Sequence, residues 1–232
     1  MNSDIHPPDK WLTFGFALIG GYGDAAGFVL AKTFTGHVTG SLVLAAITAV
    51  ARDWRGTFAH FSAVLCFLSG IPLSALLTRL SALWPSWPTL TTVMVMEVIL
   101  IVAGYLALAS QAPAAVEILA VCLSLALGLQ NGAFRRTGGI SVHTTYLTGM
   151  ITGLIATETE NLTLQGASGR TTALDPKFEL LCGIWVAFVL GAAMGAAAAL
   201  HFKELGILGA AFILFAIIVR HLMAVSPTRP AS

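Results

Sequence analysis

Apolar residues dominate long, nearly unbroken stretches of this chain, separated by short polar passages. A helix that crosses a bilayer needs about 20 mostly apolar residues. Six stretches meet that length: Trp11–Ala31, Thr57–Leu80, Thr89–Ser110, Ala114–Phe134, Phe178–His201 and Leu205–Val225. Two more, Thr39–Ala51 and Thr145–Ala156, are apolar but short. Each carries a Thr-Gly pair at or near its start, after a glycine- or threonine-rich passage. They are expected to be half-helices, tilted short spans or re-entrant segments. The order is long, short, long, long, and then the same again.

A polar, glycine-rich passage recurs in step with that order. The first copy contains Gly21, Gly23, Asp24 and Gly27, then Thr39-Gly40. The second contains Gly128, Gln130, Asn131 and Gly132, then Thr148-Gly149. The offset grows from 107 at Asp24/Asn131 to 121 at Gly70/Gly191. The polar loop 157–176 accommodates the difference. This reads as an internal duplication, with repeat one at about 11–110 and repeat two at about 114–225 in a single membrane domain.

Composition supports a membrane setting. The chain is 56% hydrophobic and 10% charged, with a mean hydropathy of +0.85, whereas soluble domains are about 25% charged. A net charge of +1 and the lack of any basic run argue against a nucleic-acid partner. Charge placement also bears on topology, because Lys and Arg gather on the cytoplasmic side. With six spans, Lys10, Arg79, Arg135, Arg136, Arg170, Lys177, Arg220 and Arg229 share one side, eight against four. With eight spans the split is seven against five. The bias favours six spans, and three per repeat makes the repeats inverted. Both alternatives place the two termini on one side, expected to be cytoplasmic. The N-terminus lacks the basic region and cleavage site of a signal peptide, so the segment from Trp11 is expected to be retained.

Polar groups are costly in hydrocarbon, which singles out a few residues. Asp24 reads as a cation, proton or substrate ligand, or as the cap of an interrupted helix. Gln130 and Asn131 occupy the matching place and can donate and accept. Across a pseudo-twofold axis, Asp24 and Asn131 would face each other as a clasp or as walls of a polar pathway. Thr39-Gly40 and Thr148-Gly149 read as helix starts, where free amides carry partial positive charge. His37, Ser41 and Thr145 would add polar groups around them. Glu97 lies amid Met94, Val95, Met96, Val98 and Ile99. It reads as a proton-coupling carboxyl, with Asp24 as a second, or as a hydrogen-bonded glutamate in packing. The candidate substrate-binding set is therefore Asp24, His37, Thr39, Ser41, Gln130, Asn131, Thr145 and Thr148.

Other features read structurally. Gly191-x-x-x-Gly195 is a close-packing face of helices in lipid, either within the chain or between copies. Trp84-Pro85-Ser86-Trp87 suits an interfacial turn. Cys66, Cys122 and Cys182 lie in apolar stretches and are expected to be buried small hydrophobes. No nucleophile elbow, metal-ligand spacing, P-loop or dinucleotide fingerprint is present. The expectation is therefore a non-enzyme with no catalytic residues, no metal and no cofactor.

The chain resembles the YoaK family of bacterial membrane proteins, a domain of unknown function. The resemblance rests on Gly-x-x-Asp-Ala at 21–25, Phe-x-Gly-His-x-Thr-Gly at 34–40, Gln-Asn at 130–131 and Thr-Thr-Tyr-x-Thr-Gly at 144–149. The family often carries Asn after the first Thr-Gly, where this chain has Ser41. The resemblance implies a multi-pass protein of the bacterial inner membrane and supplies no reaction or substrate.

The expected fold is an all-α polytopic membrane bundle of six long spans plus two short or half-helices. The expected function is a secondary transporter or channel for a small polar solute, possible proton coupling included. The alternatives are a non-transporting scaffold or assembly partner and a membrane enzyme acting on lipid. Expected partners are the lipid bilayer, that solute and a second copy of the chain.

Overall fold

The computed structural model describes residues 9–81, 83, 88–134, 136–137, 140–141, 149, 151–153, 155–156, 159, 163 and 176–225. In chain order its helices are α1 (Lys10–Ala31), α2 (Val38–Val50), α3 (Trp54–Ser81), α4 (Thr89–Ala109), α5 (Ala115–Ala133), α6 (Pro176–Phe202) and α7 (Leu208–Val225). A 3-10 segment, Lys203–Ile207, joins α6 to α7, and a two-residue antiparallel ladder pairs β1 (Arg136–Thr137) with β2 (Ile140–Ser141). The boundaries of the six long helices lie within three residues of those expected. The second short segment, Thr145–Ala156, falls largely outside the described residues, as does the Trp84–Trp87 turn.

The protein is a polytopic bundle of apolar helices. α1, α3, α4 and α5 are each long and apolar enough to cross a membrane. The apolar run Phe178–Ala224 is 47 residues, which as one helix would extend about 70 Å, twice the hydrocarbon thickness of about 30 Å. It is broken where Lys203 adopts a left-handed φ of 51°, and so forms two helices, α6 and α7. The other positive φ values fall at Lys32, Arg52 and Gln111, each just beyond a helix C-terminus, where the charges of Lys32 and Arg52 also complement the helix dipole. Many large apolar side chains face outward, such as Phe58, Phe212 and Val50.

The polar passages do not break their helices. α1 runs unbroken through Gly20–Gly27, and α5 through Gly128–Gly132. The reason is packing. A Cβ on Gly21 would lie 2.9 Å from Ala192 N and against the Phe188 carbonyl; a Cβ on Gly191 would lie 2.7 Å from Leu18 C. Gly195 fits against Tyr22 in the same way. The Gly191-x-x-x-Gly195 face therefore packs within the chain, backbone against backbone, and Phe14 against Gly183 shows that α1 and α6 run parallel.

A second seam has the same construction. Gly128 meets the Phe67 carbonyl, and a Cβ on Gly70 would lie 2.6 Å from Leu129 N and 2.7 Å from Leu125 O. Gly132 meets Ile71 and Ser74, so α3 and α5 also run parallel. Glycine makes these approaches possible because backbones can close only where no Cβ intervenes.

The two seams meet where α1 crosses α5. Gly23 lies against Leu127 and Gly27 against Leu123. Gln130 Nε2 donates to Phe16 O over 3.0 Å, and the Phe16 and Phe134 rings sit 4.9 Å apart. Numbers rise on α1 as they fall on α5, so this crossing is antiparallel. The core gathers beside it, with Phe16, Ile19, Met94, Leu119, Leu123, Ile184 and Leu214 almost wholly enclosed.

α2 is re-entrant. The end of α1 and the start of α3 lie at the same end of the bundle, where Thr33 Oγ1 and His60 Nδ1 are 3.0 Å apart. The chain between them returns inward to the depth of Asp24 and comes out again along α2, which is held against α3 by Thr57 Oγ1 donating to Thr48 Oγ1 over 3.1 Å. Asp24 lies about 10 Å inside the end of α1, counting helical rise.

Candidate functional site: a buried carboxylate and its re-entrant loop

Asp24 is 4% exposed. Its Oδ1 accepts hydrogen bonds from the backbone N–H groups of Thr35 and Gly36, both over 2.7 Å. Its Oδ2 contacts His37 Nδ1. Thr35 Oγ1 donates to Gly23 O over 3.2 Å, and its methyl packs where Gly27 leaves room. The carboxylate thus replaces water for a loop that would otherwise bury unpaired amides, each costing about 1–3 kcal/mol. Hydrogen bonds to a charged acceptor are the stronger kind.

Aromatic rings enclose this polar knot. Phe28 stacks on Phe34 at 4.5 Å between centroids, and His37 stands between Phe34 and Phe188 at 5.8 Å from each. Phe188 belongs to α6, so the loop of one half is braced by the other. α2 starts at Val38, directly after His37. Thr39 on its first turn is exposed, and the His37 side chain is 38% exposed. These two groups, with the positive end of α2, are what the loop presents to open space. Ser41 is turned the other way, its Oγ donating to Phe34 O over 2.7 Å.

Asp24 and Asn131 do not form the cross-axis pair anticipated from their matched positions. Both Asp24 oxygens serve the loop, while Asn131 Nδ2 donates to Leu127 O within its own helix over 2.9 Å. The antiparallel crossing explains the separation. Matched residues lie on opposite sides of its centre, leaving these two about 7 Å apart in depth. Gln130 is buried and anchors α5 to α1 through Phe16 O. Thr145 and Thr148, the second-half candidates, lie outside the described residues.

Glu97 is fully enclosed in α4, and among the described residues neither of its carboxylate oxygens has a hydrogen-bond partner. Thr91 Oγ1 and Ser124 Oγ share that condition. Keeping a charge in such a place without a partner costs several kcal/mol. Glu97 is thus separate from the Asp24 loop, which makes no hydrogen bond to it.

The structure adds residues that spacing alone did not mark. Tyr22 Oη donates to Gly206 O over 2.5 Å, tying α1 to the 3-10 segment. Arg55 Nε donates to Glu117 Oε1 over 2.6 Å and its Nη2 to Pro113 O over 3.1 Å. Beside that pair, Thr33, Asp53 and Ala59 help line a cavity of about 270 Å³. Tyr22 carried a signal, since a large aromatic between two glycines is out of place unless it reaches something. Arg55 and Glu117 are 62 positions apart, and only the fold relates them. The three cysteines are free and half-buried rather than fully enclosed.

Comparison with known proteins agrees with the multi-pass architecture. The UPF0700 transmembrane protein YoaK of Bacillus subtilis (strain 168) is 27% identical over 142 residues, covering 60% of this chain and 62% of that protein. The chain thus spans about three-fifths of the length of that relative. No solved structure matches. The family described as protein of unknown function (DUF1275) matches over residues 12–220, nearly the whole helical bundle, and the chain belongs to that family.

Proposed function

We propose that this protein is a transporter or channel for a small polar solute, built from two inverted repeats at about 11–110 and 114–225. The observation that carries the reading is the re-entrant loop at Asp24. It holds His37, Thr39 and the start of α2 at the depth of Asp24 on an open face of the bundle, a level at which polar groups are costly in hydrocarbon. The matched glycine seams support the duplication: Gly21 on the Phe188 carbonyl corresponds to Gly128 on the Phe67 carbonyl, at offsets of 107 and 121. The antiparallel meeting of α1 and α5 supports inversion, with three crossings per repeat and α2 re-entrant. Half-helices of this kind near the midplane are a recurrent way to build a solute site.

In this reading Asp24 is a positioning residue. It holds the loop, and His37 and Thr39 meet the solute. Glu97 is the group at which proton movement would be coupled. The bacterial inner membrane is the setting, with both termini cytoplasmic by the Lys and Arg bias.

The test is solute flux into proteoliposomes, followed by light scattering with glycerol, urea and glycine as probes. Flux above that of protein-free vesicles is expected, together with at least a tenfold loss in His37→Gln and Thr39→Val at unchanged melting temperature. Wild-type flux in both variants would remove the site. No flux for any probe, with stable co-purification of one partner, would favour a scaffold, a reading supported by the full use of Asp24 in holding backbone.

A further inference from the structure

A second cavity, distinct from the one beside Arg55, lies away from the Asp24 loop. It is a groove of about 770 Å³ between α1, α6 and α7, within the size range of small-molecule sites, about 300–1,000 Å³. Its floor is apolar, formed by Gly15, Leu18, Val186, Leu190, Ile213 and Ile217. One end is not. There Trp11, Arg220 and His221 line it beside Asp9. The groove follows α7 from Ile213 to Ala224, about 16 Å.

The charges at that end are unevenly committed. Asp9 caps α1, accepting from Leu12 N over 3.2 Å. Glu179 pairs with Lys10 at 3.7 Å. The Arg220 guanidinium lies 4.4 Å from the Trp11 ring centroid, and among the described residues no carboxylate is within ion-pair distance of it. A tryptophan and an arginine at the mouth of an apolar groove mark the headgroup level of a bilayer.

We propose that this groove binds one phospholipid, its acyl chain along the apolar floor and its headgroup phosphate on Arg220. A bundle of bilayer-crossing helices is surrounded by such molecules. An apolar channel ending in a cation that no described carboxylate pairs matches the two parts of a lipid, and guanidinium is the side chain best shaped for bidentate phosphate contact. His221, adjoining Arg220 on α7, supplies a second donor. This inference is independent of any transport role.

The test uses the full chain in detergent, with native mass spectrometry and thermal unfolding as readouts. Dioleoylphosphatidylglycerol is expected to give a single adduct and a higher melting temperature. Dioleoylglycerol, which lacks phosphate, and glycerol phosphate, which lacks chains, are expected to do neither. Arg220→Gln should weaken the adduct at least tenfold, and Arg220→Lys by less. Ala187→Phe, which fills the floor and leaves the cation in place, should also abolish it. Adducts as strong as those of wild type in Arg220→Gln and Ala187→Phe would overturn the proposal, as would equal stabilisation by dioleoylglycerol. So would a dimer cross-linked through Val186→Cys, which would make the groove a contact between copies.

Discussion

In the proposed duplication α4, the third long helix, corresponds to α7, the last, yet the two differ in fit. α4 lies tightly on α5. Gly104 admits Leu119 and Cys122, which a Cβ would approach to 3.0 and 3.3 Å, and Val93, Met94 and Ile101 of α4 are enclosed. α7 meets α1 at its start, where Gly209 faces Tyr22, and parts from α1 and α6 farther along. Gly15 meets only the end of the Ile217 side chain, while Phe212 is 74% and Phe215 60% exposed. Between those helices lies the 770 Å³ groove. The inner seams, α1 with α6 and α3 with α5, are alike. The architecture therefore seals its crossing helices in the same way twice and varies its outer helices.

The largest test of that contrast is to break the shared part. Gly21→Leu and Gly128→Leu each force a side chain into a backbone carbonyl, where overpacking costs about 3 kcal/mol or more. Both should lose folded protein to a similar degree on size-exclusion chromatography. Unequal losses would mean that the two seams are not equivalent. Gly15→Leu, facing a movable side chain, should be milder.

Next in size is the loop. Asp24→Ala leaves two buried amides and an imidazole without their acceptor, a change worth about 3–5 kcal/mol. A fall in melting temperature and faster proteolysis within the 32–37 loop are expected. Thermal unfolding unchanged from wild type would show that the carboxylate does not hold the loop.

Tyr22→Phe removes one hydrogen bond and leaves the Gly206 carbonyl buried without it, a loss of about 1–2 kcal/mol. It should loosen the joint between α6 and α7 and so bear on the open side. Hydrogen exchange at residues 203–209 should rise, while α4 is unaffected. Smallest is Glu117→Gln, which breaks an exposed ion pair with Arg55 and should cost under about 1 kcal/mol. Its effect should disappear in high salt, and a salt-independent loss would point to the Pro113 contact instead.

Different features of the chain differed in how far they could be read from sequence. The six long helices were legible because bilayer-length apolarity is a local property. The small-residue pattern at 191–195 was legible as a packing face, but its partner, Leu18 to Tyr22, was not. The glycines around Asp24 suggested an interrupted helix and instead let an unbroken one pack closely. The difference is tertiary, since a glycine serves a bend or a close approach depending on what stands opposite. Asp24 and Asn131 hold matched places in the sequence pattern, yet such matching does not imply contact. In an antiparallel crossing only residues at its centre meet their counterparts.

Sequence alone determined that this is a multi-pass helical membrane protein, because the hydrocarbon core demands long apolar helices and tolerates few charges. It also determined where polar residues interrupt that apolarity. The tertiary structure decided what those residues do. It directed the Asp24 carboxylate to loop amides 11 and 12 positions away, left Glu97 enclosed without a partner among the described residues, and opened one outer seam while closing another. The physical reason is range. Hydrophobic length is written residue by residue, whereas hydrogen-bond partners and packing gaps depend on which backbone lies within a few ångströms.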